Sequence, residues 1–502
     1  MTENSFPESK DFNLPAIANE IQEFWKAENI FAKSLAIRKN SPKFVFYEGP
    51  PSANGTPGIH HVMARAIKDI FCRFKTQQGF LVDRKAGWDT HGLPVELQVE
   101  KELGITKEDI GVKISIEEFN KKCKEAVMRY TDLWNRLTEE MGYWVDMEHP
   151  YITYENTYIE SLWSLLKQLY DKDLLYKGYT IQPYSPAAGT GLSSHELNQP
   201  GTYKQVKDTT IVAQFELNVD SAHYKALFEG TSTPIYALAW TTTPWTLPGN
   251  AALAVGKNIE YALVETLQPY LKHHITVLLG KDVLGKYFAA EAEVKSSGDL
   301  EYDASKKALP YRILKTLKGA ELDGLTFKQL MPYVVPSVPA FRIIIGDFVS
   351  TEEGTGIVHI APTFGADDFR VAKQAGIPPI MVQDAAGKDL PIVDRQGRFV
   401  PQITDFAGRY VKNYAGEDET KADYQSTDLQ IALMLKEKGL AFRIEKYEHP
   451  YPHCWRTDKP ILYYPLESWF IKTTAKKDRL IELNKTINWK PQSTGTDRKS
   501  VV

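Results

Sequence analysis

With 502 residues, 43% of them hydrophobic, the chain is long enough for about three domains with ordinary buried cores. Its net charge of −4 excludes a globally basic nucleic-acid binder, so any RNA contact must be a local patch. No run approaches the ~20 apolar residues of a membrane helix, "MTENSFPESKDF" lacks a secretion signal, and three scattered cysteines (Cys72, Cys123, Cys454) point to a reducing, cytoplasmic setting.

In chain order, "KFVFYEGPP" (43–51) predicts a short strand running into a Gly-Pro loop. From Ile59 onward, Val62, Ala66, Ile67, Ile70, Phe71 and Phe74 recur at helical spacing, with Gly79 as the stop. "FLVDR" (80–84) predicts a second strand, followed by a loop and a helix with Pro94 in its first turn. This alternation is that of a parallel α/β sheet. Ser115 and Glu118 form a capping-box pattern ahead of a helix carrying Phe119, Cys123, Val127, Tyr130, Trp134 and Leu137. A second long helix is expected over 156–176. After about Pro200 the texture changes to short β-rich segments with Gly/Pro turns, as far as about Gly416, which reads as a separate α+β domain. A helix near 428–438, stopped by Gly439, leads into aromatic-rich "YEHPYPHCWRTDKPILYYPLESWF". There the first domain is expected to resume. No 20–50-residue repeat is present.

Ligands of α/β units bind outside the carboxyl ends of strands, where 48–61 falls. Gly49, Gly55 and Gly58 let backbone approach a ligand closely, and first-turn N–H groups of the next helix attract phosphate. His60 and His61 set imidazole donors beside the same anion. Alone, the stretch reads equally as a turn with two surface histidines. The next loop, "AGWDTHGLPVE" (86–96), offers Asp89, suited to a substrate ammonium or, more plainly, to a helix cap.

Taken together, "FYEGPPSANGTPGIHHVMARAIKDIFCRFKTQQGF" and "RKAGWDTHGLPVELQVEKELGI" resemble the nucleotide-binding half of the class I aminoacyl-tRNA synthetases, in their isoleucyl branch. The resemblance implies an N-terminal helical extension over 1–40 and the first half of a Rossmann-like parallel-sheet domain over 41–195. An inserted α+β, β-barrel-like editing domain would span 196–425, with 426–496 as connector and start of the second catalytic half. The activity implied is ATP-dependent joining of L-isoleucine to tRNA-Ile through an aminoacyl-adenylate, with Mg2+ entering as part of the ATP complex. The family's His-x-Gly-His signature stands here as Gly58-Ile59-His60-His61. His61 keeps the last position, and His60 is expected to substitute for the missing first histidine. The implied ATP cradle is Gly49, Asn54, Gly55, Gly58, His60 and His61, with His60 and His61 stabilising the α-phosphate. Pro50 would line the isoleucine pocket and Asp89 would hold the ammonium.

An apolar pocket discriminates one methylene by only about 1–3 kcal/mol, isoleucine against valine in this same family being the worked case of that limit. A second, hydrolytic site is the usual remedy. "LAWTTTPWTLPGN" (238–250) reads by composition as a Thr-rich strand, and "GTGIVHIAPTFGADDF" (354–369) as a strand ending in His359, a loop, and a helix with Asp at its start. Jointly they resemble the family's editing domain. By that resemblance Asp368 grips the ammonium of mischarged valine, His359 limits the pocket, and Thr241, Thr242, Thr243, Thr246 and Asn250 line the tRNA end and the hydrolytic water. Many relatives hold zinc on two Cys-x-x-Cys pairs. This chain has Ser185 and Ala188 at the first and Cys454 and Thr457 at the second, one ligand of four, so no zinc is expected. The last six residues, "DRKSVV" (497–502), depart from the family pattern and are expected to be non-native. The family's second ATP signature would lie beyond them, so this polypeptide is expected not to charge tRNA itself and to leave apolar faces open. A monomer without membrane association is expected. The alternatives are a non-catalytic tRNA-binding remnant and a hydrolase editing in trans.

Overall fold

A computed structural model describes residues 13–501 except 304, 306, 307, 337 and 422, with side chains described as far as 496. The start of the 1–40 extension and the side chains of the 497–502 tail therefore lie outside the described residues. The chain forms two compact units, one of residues 1–176 with 471–502 and the other of residues 177–470. The fold is mixed α/β with a parallel set of strands in the first unit. Among the described residues no helix is long and apolar enough to cross a membrane.

In the first unit, Lys85–Trp88 pairs in parallel with Asp146–Ile152, and the three helices Leu93–Leu103, Ile116–Val127 and Thr131–Glu140 make the crossover. On the other side Lys43 bridges Leu81 in parallel across the helix Ile59–Gln77. The expected strand at 43–51 is thus reduced to this bridge. Val45 and Tyr47 are exposed, with no ladder partner to extend the pairing. The strand expected at 80–84 forms later, because Leu81 is held only by the bridge and the ladder to 146–152 starts at Lys85. Pro94 sits in the first turn of its helix, and Gly79 ends the Ile59 helix with φ +92.

Ser115 caps as expected by accepting the Glu118 N–H at 3.1 Å, but the helix it starts breaks at Met128–Tyr130 instead of running through Leu137. There the Tyr130 N–H turns outward to the Ala53 carbonyl at 3.1 Å. The next helix is Asn156–Asp171, five residues shorter than expected, as Asp173 takes a positive φ and the chain goes into the strand Leu175–Ser185. In Ile59–Gln77 the residues buried are Arg65, Cys72 and Thr76. Met63, Ile67, Ile70, Phe71 and Phe74 are all more than half exposed. The apolar stripe that forecast this helix is an open face.

The second unit is built on a six-stranded sheet, in the order Tyr311–Lys318, Glu260–Leu267, His274–Gly280, Ile235–Thr241, Tyr203–Glu216, Ala441–Pro452. Both faces are covered. Ile211, Ala213, Phe215, Ala237, Ala239 and Leu263 enter one core, and Val212, Leu238, Ala262, Val264, Val277 and Leu279 the other. Period-two alternation between two buried faces explains why these strands read as unbroken apolar runs. Ala441–Pro452 pairs along its length with Tyr203–Glu216, so this part of the aromatic return belongs to the second unit's sheet. The strand Ala252–Val255, wholly buried, lies between Arg342–Ile345 (parallel) and Ile357–Ile360 (antiparallel). The helix near 428–438 is Thr427–Glu437, ended at Gly439.

Candidate functional site

In the first unit the strand end at Trp88 meets the loop before Ile59. The Asp89 N–H donates to the Pro51 carbonyl at 3.0 Å, which ties the two loops edge to edge. Trp134 completes the wall. Its indole N–H donates to the Gly55 carbonyl at 2.9 Å, and its ring lies 4.8 Å from His61 and 6.5 Å from Trp88. The loop residues Pro50 and Asn54 are half-buried against these anchors, whereas Gly49 and Gly55 are exposed.

The His pair is arranged by Gly58. Its N–H donates to His61 Nδ1 at 2.9 Å, which leaves the proton of the neutral ring on Nε2, facing away from the turn. Desolvation, with His60 and the Arg65 guanidinium nearby, lowers the His61 pKa. The His60 ring lies tilted against His61, with the ring centres 3.8 Å apart, and folds over Gly58, so close that a Cβ at 58 would come within 2.9 Å of it. A histidine could not be rooted at 58 without evicting His60.

Asp89 Oδ1 accepts the His91 N–H at 3.3 Å, and Thr153 Oγ1 ties the loop to the neighbouring strand through His91 Nδ1 at 2.9 Å and the Thr90 N–H at 3.0 Å. Sequence reasoning missed the buried Glu48. Its carboxylate takes Lys68 Nζ at 2.5 Å and the Tyr143 hydroxyl, while Tyr151 donates to its carbonyl at 2.7 Å. A lone acid inside "FYEGPP" was its only local signal.

In the second unit the two motif segments come together. Thr243–Asn250 forms a strap, helical over Pro244–Gly249, that joins the strand ending at Thr241 to Ala252–Val255. The Ala251 N–H donates to the Ile360 carbonyl at 2.8 Å, and Leu253 pairs with His359. Thr246 donates its hydroxyl to the Thr243 carbonyl at 2.8 Å and lies 3.1 Å from His359 Nε2. With that hydroxyl proton committed, His359 must be the donor, as the Nε2–H tautomer. Burial lowers the His359 pKa to about 4, and its Nδ1 is buried without a partner.

Asp368, in the first turn of the helix Ala366–Gln374, folds over Gly365, where a Cβ would fall 2.7 Å from its carboxyl carbon. It accepts the Ala361 N–H at 2.8 Å, yet desolvation raises its pKa to about 7. Phe364, between them in the loop, packs edge-on at 5.0 Å against Trp245 of the strap. Thr241 accepts the Thr243 N–H at 3.1 Å, Thr242 is half-buried, and Asn250 donates to the Ala252 carbonyl at 2.8 Å with its Oδ1 buried and unpartnered.

At the positions where the resemblance implies zinc ligands, the side chains are two hydroxyls, a methyl group and one thiol. Ser185 accepts the Ala188 N–H at 3.2 Å in a closed turn, and Thr457 Oγ1 is buried without a partner beside the single thiol of Cys454.

The family model for class I tRNA synthetases (I, L, M and V) matches residues 20–502. The chain belongs to that family. Among curated class I relatives, the isoleucine–tRNA ligase of Cytophaga hutchinsonii is 62% identical over 97% of this chain and 44% of its own length. That of Porphyromonas gingivalis is 56% identical over 98% and 44%, and that of Clostridium tetani 41% identical over 95% and 40%. The chain thus spans less than half the length of the curated synthetases it matches. Among solved structures, the P. knowlesi cytosolic leucyl-tRNA synthetase editing domain aligns with 49% of this synthetase chain and 97% of its own, at 12% identity and TM-score 0.32.

Proposed function

We propose that the protein is an isoleucine–tRNA ligase in which the first unit carries the adenylate-forming pocket and the second hydrolyses mischarged valyl-tRNA. The observation that supports the ligase reading is the Asp89 N–H to Pro51 carbonyl bond, which ties the Asp89 loop to the loop that leads into His60 and His61. In that site the isoleucine carboxylate attacks the α-phosphorus of ATP, the bond to pyrophosphate breaks, and charge develops on the α-phosphate oxygens. The His61 Nε2–H and the His60 ring above Gly58 supply donors there, stabilising charge where it develops. Asp89, with one carboxylate oxygen taken by the loop, offers the other to the ammonium. Magnesium accompanies ATP, and a terminal ribose hydroxyl of tRNA-Ile then takes the isoleucyl group as the anhydride bond to AMP breaks and AMP leaves.

In the second unit water attacks the ester carbonyl, and the ribose oxygen leaves with a proton, giving valine and free tRNA. His359, neutral near pH 7, is a wall and a donor to Thr246 rather than a base. An arriving ammonium would pull Asp368 into its carboxylate form and pair with it. The three cysteines are free thiols, in keeping with a reducing cytoplasm.

The decisive experiment is ATP–pyrophosphate exchange by the whole protein with Asp89→Asn. The KM for isoleucine should rise about 100-fold, as for loss of a charged partner, with the KM for ATP changed little. An unaltered isoleucine KM would remove Asp89 from the site and the ligase reading with it.

A further inference from the structure

The strap that carries Thr246 is tied down from outside by a buried ion network that no motif includes. Pro244 has no N–H, and the Thr246 N–H closes back on the Thr243 carbonyl at 2.9 Å. The Trp245 N–H instead leaves the strap and donates to Asp428 Oδ1 at 2.9 Å. Asp428 Oδ2 accepts Lys412 Nζ at 2.9 Å, and the same ammonium donates to Asp208 Oδ2 at 2.8 Å. His449 Nε2 lies 3.3 Å from that Asp208 oxygen, and the Tyr451 ring centre lies 4.9 Å from Lys412 Nζ. The Lys412 and Asp428 side chains are 9% and 3% exposed.

We propose that Asp428 and Lys412 are positioning residues for the hydrolytic site: they fix the backbone at Trp245 and, one residue on, the Thr246 hydroxyl that orients His359. The inference rests on the hydrolytic reading above. Buried ion pairs contribute little net stability compared with apolar residues of the same volume. What they supply is direction. An ammonium between two carboxylates fixes Asp428, leaving one oxygen aimed at a single amide. Burial works against the Lys412 charge, but Asp428 and Asp208 outweigh it and raise its pKa, so the ammonium keeps its charge. Burial likewise pushes the Asp428 carboxyl upward, and Lys412 pulls it back.

The test compares the full chain with Asp428→Ala and Asp428→Asn, using Lys328→Gln, which loses only an exposed pair with Glu216, as control. Two quantities are read: hydrogen–deuterium exchange of peptides spanning 243–250, and kcat and KM for hydrolysis of valyl-tRNA-Ile. For Asp428→Ala, exchange in 243–250 should quicken about tenfold or more. Its kcat should fall about 10- to 100-fold with KM within about threefold, the pattern of a misplaced group. Asp428→Asn, whose carbonyl still accepts the Trp245 N–H, should recover part of both.

Normal exchange and normal kcat in Asp428→Ala, matching Lys328→Gln, would overturn the proposal even if the melting temperature falls. Should Asp428→Ala not fold, Asp428→Asn is judged by the same readings, since it removes the charge that fixes the carboxylate. If the unaltered chain hydrolyses no valyl-tRNA, the hydrolytic reading fails, and exchange alone then decides whether the network holds the strap.

Discussion

Asp368 and His359 share a strand–loop–helix segment and are shifted in opposite directions by the same cause, loss of water. Desolvation holds His359 neutral and keeps Asp368 partly protonated near neutrality. For Asp368 the linkage has a definite sign. Its folded pKa of about 7 exceeds the ordinary 3.8, so the native state binds the proton more tightly than the unfolded chain. The stabilisation this proton gives is full below about pH 4 and is lost as pH rises through 7. Asp368→Asn has no charge to bury. It should therefore gain stability over the unaltered chain by roughly 1–3 kcal/mol between pH 5 and pH 8, measured by urea unfolding at the two values, while losing valyl-tRNA deacylation. A variant whose stability tracks the parent at both pH values would show that Asp368 is not desolvated. At this scale Thr246, His359 and Asp368 were each visible in their motifs, and the fold brings the first two within hydrogen-bond distance. Glu48, Lys412 and Asp428 were not, because a buried charge is recognisable only with its partners, and these come from segments distant in sequence.

Elements formed where local signals and pairing agreed. The Ile59 helix, the Pro94 helix and the strand–loop–helix around His359 match their sequence patterns, each helix starting directly after a glycine (Gly58, Gly92 and Gly365). The strand at 43–51 did not form, since a strand needs a neighbour and only Lys43 has one. The helix through Trp134 broke because Tyr130 gives its N–H to the Ala53 loop, a tertiary demand invisible to periodicity. The strap Pro244–Gly249 is the clearest case of an element whose composition misleads. Its threonines favour strands, but Pro244 and Pro248 cannot serve a ladder, and the hydroxyls bond inward instead. Thr246→Val keeps the shape and removes the hydroxyl. It leaves the His359 N–H unsatisfied in a buried setting, which should cost about 1–3 kcal/mol. Thermal or urea unfolding should register that loss, and deacylation should fall with it. Full stability with full activity would mean that the Thr246–His359 bond is dispensable.

Two kinds of sheet organise the molecule, and they differ in how their apolar residues are used. The second unit hides both faces of its six strands, so nearly all its strand hydrophobics lie in one of two cores. The first unit has a short parallel set and a helix whose apolar stripe is open. Composition announced the change at about Pro200, just ahead of the long strand Tyr203–Glu216, whereas the junction between units falls at 176/177, near the start of the strand Leu175–Ser185, where no shift in residue type marks it. The geometry at the junction has a consequence. The chain leaves the first unit after Tyr176 and returns at Ile471, and the Lys472 N–H donates to the Leu174 carbonyl at 2.8 Å, so exit and re-entry are hydrogen-bonded neighbours. A unit with its own two-sided core, entered and left at one point, needs little from its host to fold. Residues 177–470 expressed alone should unfold cooperatively, with a melting temperature within about 5 °C of the corresponding transition in the full chain, a shift of roughly 3 kcal/mol or less at this size. Calorimetry of both proteins measures this directly. A broad, non-cooperative transition would mean that the core of the second unit depends on residues outside 177–470.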